Sequence, residues 1–154
     1  MKKVLISIFS LALVLSLSHL ATGQAISGSV DDQLLQAAVK GDSSAVRQSL
    51  ANGANIEARD NKDNTALIKA AMYDKTEIVT LLLDRGANIE AKNRTGATPL
   101  ISAAFFGNAD VVRLLLARGA NINATSTNGD TAMKWATDQG FPEVASLLRS
   151  KGAR

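Results

Sequence analysis

The sequence predicts an all-α solenoid of about four 33-residue helix–turn–helix units with short β-hairpin-like loops, the first and last units acting as caps. Three observations predict it. Gly-Ala-Asn recurs at Gly53, Gly86 and Gly119, each 33 residues from the last, and Gly152 continues the series as Gly-Ala-Arg. The stretch "LLLDRGANIE" at 81–90 aligns with "LLLARGANIN" at 114–123. Thr65, Thr98 and Thr131 share one register, and Ala70, Ala103 and Ala136 share another. A fixed period of this length marks a stack in which no unit buries its apolar face alone.

Residues 1–23 stand apart from the repeats. Lys2 and Lys3 precede an apolar run from Val4 to Leu17 that only serines interrupt, and Ala21 and Gly23 follow two apart. This is the three-part pattern of a secretory signal peptide, with cleavage expected after Gly23 or, alternatively, after Ala25. An uncleaved anchor is the competing reading, but the run falls short of the roughly 20 apolar residues a span requires. No twin arginines precede it, so the general secretory route is expected, and no Cys follows to carry a lipid. The rest, 24–154, reads as a repeat domain with units at about 25–57, 58–90, 91–123 and 124–154. The expected product is a periplasmic or secreted monomer, free of the membrane after cleavage.

Cleavage changes the charge balance. It removes Lys2 and Lys3, leaving 15 of the 17 basic residues against 14 acidic ones. A nearly neutral chain lacks the electrostatic footprint of a nucleic-acid binder, and none is expected as a partner. The single His, His19, departs with the leader, and the chain has no Cys. Disulfides are thereby excluded, and stability has to come from packing.

Within each unit the residues spell turn, helix, turn, helix. Thr98 is a good N-cap, and Pro99 at the first helical position needs no N–H partner. A short helix runs through Leu100, Ala103 and Ala104 and stops at Gly107. A second carries Val111, Val112 and Leu114 to Leu116 and ends at Gly119, where left-handed dihedrals are required. Asp74 stands at the first stop of the preceding unit, and Asp tolerates that conformation at modest cost. The paired alanines let short helices of neighbouring units approach closely. Unit one departs from the pattern with "SGSVDDQLLQAAVKGD", where Asp31 or Asp32 is expected to cap the first helix. In unit four Ser146, Arg149, Ser150 and Lys151 make the outer helix polar, as a terminal repeat requires.

Unit three holds Gly96, Thr98, Pro99, Leu100, Ala103, Ala104, Gly107, Leu114, Leu115, Leu116, Gly119 and Ala120. This order resembles the ankyrin repeat, and the resemblance covers nearly all of 24–154. The position after Leu100, which in that family usually holds a loop-bracing His, is Ile68, Ile101 or Lys134 in these units, so that bracing is expected to be absent.

The sequence offers little for catalysis. Without His or Cys beyond the leader, most zinc sites, Cys–His pairs and Ser–His–Asp triads are excluded. No phosphate-cradling glycine motif is present, and no cofactor is expected. Ser43 and Ser44 of "GDSSA" sit at a helix start, where Ser is an ordinary cap. Glu57, Asp60, Asp63 and Glu90 read as solvated turn residues rather than as a paired-carboxylate site. Asn93-Arg94-Thr95 and Asn123-Ala124-Thr125 match the glycosylation acceptor pattern.

The resemblance implies a concave surface, made by hairpin tips and the outer face of each unit's first helix, that binds a partner protein. Its candidate residues are Arg59, Asn61, Lys62 and Asn64 with Met72 and Tyr73 in unit two. Unit three supplies Lys92, Arg94, Thr95, Phe105 and Phe106, and unit four Asp138 and Gln139. Aromatics make up only 4% of the chain, yet Phe105 and Phe106 are adjacent. Neighbours on a helix point about 100° apart, so both rarely enter one core. Met72, Tyr73, Phe105 and Phe106 resemble an interface core, Met, aromatics and Arg being enriched there. Mutual packing of Tyr73 and Phe106 is the competing reading, and Trp135 is expected in core or cap packing. Resemblance to small exported bacterial ankyrin proteins implies oxidative-stress defence. Its alternatives are neutralisation of a secreted toxin or lipase, and action on a host protein.

Overall fold

A computed structural model describes residues 28–153. The leader and its cleavage sites lie outside the described residues. Among the described residues eight α-helices form four pairs: α1 (Val30–Lys40) with α2 (Ser43–Ala51), α3 (Ala66–Met72) with α4 (Thr76–Asp84), α5 (Pro99–Phe105) with α6 (Ala109–Ala117), and α7 (Ala132–Asp138) with α8 (Pro142–Ser150). The first helices pack in a row, α1 on α3 on α5 on α7, and α2, α4, α6 and α8 form a second row behind them. This is the all-α solenoid the period predicts. Each hairpin loop reduces to a single antiparallel bridge at most, as at Arg59 with Thr65 and Thr125 with Thr131.

A seven-residue helix is far too short to hold together alone in water. Local capping and stacking supply what length does not. Thr65, Thr98 and Thr131 each accept the amide three residues on, from Ile68, Ile101 and Lys134 at 3.3 Å. Stacking then repeats the same burial in every unit. Leu34, Leu67 and Leu100 form one buried column, Val46, Val79, Val112 and Ala145 a second, and Leu82, Leu115 and Leu148 a third. Each fully buried leucine contributes about 2 kcal/mol of transfer free energy. Ala38, Ala71 and Ala104 are buried where the short helices touch, while Thr137 ends that column exposed.

Unit one differs from expectation in its caps. Ser29, not Asp31 or Asp32, is the N-cap of α1, and Asp32 closes a capping box back onto Ser29. Asp31 instead accepts the amide of Asn55 at 2.7 Å. Asp42 caps α2 through the Ala45 amide at 2.9 Å, which leaves Ser43 and Ser44 inside the helix.

Loop bracing is present without the histidine. Glu57 accepts the amide of Asn88 at 2.8 Å, and Glu90 that of Asn121 at 2.7 Å. Both carboxylates sit in partly exposed turns, as expected, and in addition fasten one unit to the next. At the tips, the Arg94 amide donates to the Lys62 carbonyl and the Thr127 amide to that of Thr95. Ile68 and Ile101 are buried, so that position packs rather than bonds.

Candidate functional site

The concave face is set by helical spacing. Residues three and four apart share a helix face, so Ser102, Phe105 and Phe106 follow one another along unit three. The register of Ser102 holds Lys69 in unit two and Trp135 in unit four. A small side chain between two large ones opens a groove of about 370 Å³. Met72, Phe105, Phe106 and Trp135 wall it, Ile101 and Ser102 floor it, and no charged side chain lines it.

Both phenylalanines line the groove, at the i+3 and i+4 positions from Ser102. The helix ends at Phe105, and Phe106 is its C-cap at φ −95° and ψ 0°. Their rings meet edge to face, centroids 5.0 Å apart at 71°. Phe105 also meets Trp135 at 5.0 Å and 66°. Trp135 packs against the core, as the sequence reading expects, and its remaining surface is also a groove wall. Its register with Ser102 is the sequence signal for this position. Tyr73, 52% exposed, and Phe106, 45% exposed, are the two large apolar side chains left open to solvent among the described residues.

The other candidates are distributed unevenly. Thr95 lines the groove. Asn64 is 4% exposed and receives the Asn93 amide side chain at 3.0 Å, so it locks two units together and offers a partner nothing. That same bond holds Asn93 of the glycosylation pattern. Arg59 donates from Nη1 to the Lys92 carbonyl at 2.7 Å, and Lys92 from Nζ to that of Thr125 at 3.0 Å. Arg94 pairs loosely with Asp63 at 3.5 Å. Asn61 and Lys62 stand exposed at the unit-two tip. Asp138 pairs with Lys134, and Gln139 caps α7; neither lines the groove. No helix among the described residues is long and apolar enough to cross a membrane.

A family model described as ankyrin repeats in three copies matches residues 34–126. The chain belongs to the ankyrin-repeat family. A second model, ankyrin repeats in many copies, matches residues 110–149. Comparison with curated proteins gives no match. Ankyrin repeats are in general protein-interaction modules, and the resemblance read from unit three agrees with that assignment.

In the ankyrin stack one carboxylate is held with particular strength. Partial burial alone would raise the pKa of Asp60. Hydrogen bonds from Lys69, from the Asn64 amide and side chain and from the Lys62 amide outweigh it and hold the carboxyl well below the usual range. Because the folded pKa is the lower one, this stabilisation is complete above the ordinary value of 3.8 and is lost as pH falls below it. Asn93, at the same register one unit on, makes the same turn with a neutral oxygen to Thr95 and Ala97. Asp60→Asn therefore keeps the turn bonds but replaces the oxygen that accepts from Lys69 and the Asn64 side chain with an amide donor. We expect it to lower the unfolding free energy in urea by about 1–2 kcal/mol at neutral pH. The gap to wild type should shrink as the pH is taken below about 4; a gap of constant size would refute this assignment.

Proposed function

We propose that the chain is a non-enzymatic binding module, exported to the periplasm, that seats part of a partner protein in the groove of its concave face. The groove itself carries this reading: aromatic and Met walls around an uncharged hollow are the composition of an interface core. Export is supported by the leader pattern in 1–23. Stress defence is supported by the resemblance to small exported bacterial ankyrin proteins, and recovery of a catalase rather than a secreted lipase would favour it over toxin neutralisation.

The test is capture of a partner from periplasmic extract by the purified protein, whose N-terminus should be Gln24 or Ile26. Phe105→Ala should weaken capture at least about tenfold, as truncating a central aromatic anchor does. Tyr73 lies outside the groove lining, so Tyr73→Ala should weaken it less. Helical content should stay unchanged in both. Undiminished capture by Phe105→Ala sinks the groove reading, and an N-terminus at Met1 sinks export.

A further inference from the structure

In the sequence, the basic tip residues have nearby acids to offset them. The structure separates the two sets. Glu57 and Glu90 are turned to the amides of Asn88 and Asn121, Asp60 is occupied by Lys69, and Asp63 faces Arg94. Arg59, Lys62 and Lys92 are left without a carboxylate in ion-pair reach among the described residues. Arg59 and Lys92 are also held in place, each donating to a carbonyl of the following unit. The cations are thereby positioned before any partner arrives.

This ridge and the groove form one surface. Lys92 is followed directly by Asn93, which lines the groove together with Thr95. Arg59 donates to the Lys92 carbonyl, and the Lys62 carbonyl receives the amide of Arg94. An occupant of the groove thus passes an uncompensated positive edge on the tip side. The groove holds no counter-charge, so a charged group inside it would be desolvated without a partner. Charge belongs on the ridge and apolar bulk in the groove.

We infer that the partner presents an acidic segment, with one large apolar side chain seated in the groove against the touching Phe105 and Trp135 rings and carboxylates set over Arg59, Lys62 and Lys92. This rests on the groove being the binding site. Complementary charge of this kind steers encounter and fixes orientation. A nucleic acid is disfavoured because residues 24–154 balance 15 basic against 14 acidic residues, too nearly neutral for a phosphate track.

A library of random dodecapeptides displayed on phage, selected against the immobilised protein, tests this directly. Trp135 is the only tryptophan in the chain, so its emission reports groove occupancy. Selected peptides should be net acidic, carry a large apolar residue and shift Trp135 emission. Raising salt from about 0.05 M to about 0.5 M should weaken them at least tenfold as screening shortens. Lys62, whose side chain makes no hydrogen bond or ion pair among the described residues, gives the safest variant: Lys62→Glu should weaken acidic peptides about fivefold or more without moving the thermal midpoint. Cationic or neutral peptides that still shift Trp135 overturn the acidic partner and leave the groove standing. Peptides that bind Phe105→Ala as well as wild type, with Trp135 silent, overturn the groove itself. A selection that enriches nothing, or tighter binding of oligothymidylate than of any peptide, overturns the inference.

Discussion

Ser102→Lys should abolish partner capture while leaving the stack folded. Ser102 is 5% exposed and forms the floor of the groove. Its register already carries a long side chain in the units on either side, Lys69 and Trp135, so the backbone geometry of this position tolerates bulk. A lysine stem laid along the floor would fill the hollow. Its ammonium would have no carboxylate to meet, since Asn93 stands where Asp60 serves Lys69. We expect at least about a hundredfold loss of affinity, about 2.8 kcal/mol at 1.4 kcal/mol per tenfold. The thermal midpoint should move by only a few degrees, about what a change of 1 kcal/mol does in a domain of this size. Retained affinity in a folded Ser102→Lys protein would place the binding surface elsewhere.

Gly107→Ala should cost far more stability than Gly140→Ala, although the two glycines share a register and nearly the same backbone. Their φ values are 76° and 75°, where an L side chain is strained. A Cβ on Gly140 meets nothing within 4 Å, whereas one on Gly107 would stand 2.5 Å from Cδ1 and 2.6 Å from Cε1 of Phe141. The Phe141 ring is partly buried against the core and would have to shift to admit the methyl group. Left-handed strain alone accounts for about 1 kcal/mol in Gly140→Ala. Overpacking adds to it in Gly107→Ala, for a total of about 2–4 kcal/mol. Urea midpoints of the two variants, and of Gly107→Ala combined with Phe141→Leu, separate the contributions. Leucine at 141 should recover part of the loss, and equal costs for the two glycines would show that the ring yields freely.

These contrasts bear on what could be read before the structure. The helices, their Thr caps and the left-handed stop at Asp74 were legible because each depends on residues close in the chain. The cap of α1 is Ser29 rather than Asp31 or Asp32, and its three-residue spacing from Asp32 is the local signal for a capping box. The groove was partly legible. Phe105 and Met72 announce themselves by composition, but Trp135 joins them only across the unit boundary, through its ring contact with Phe105. The ridge was not legible at all. Whether Glu57 faces a nearby cation or the amide of Asn88 depends on the offset between stacked units, which no single unit's residues encode.

The bond that the Asn88 amide donates to the Glu57 carboxylate recurs from Asn121 to Glu90, with both members one period further along the chain. Each repeated stretch of gene carries one half of the joint before it and one half of the joint after it. Duplicating or deleting one such stretch delivers matching halves of the fastening on each side of the splice, so the molecule can change length by a module without inventing a new seam. Reach along the concave side is therefore open to evolutionary adjustment separately from what sits in the hollow.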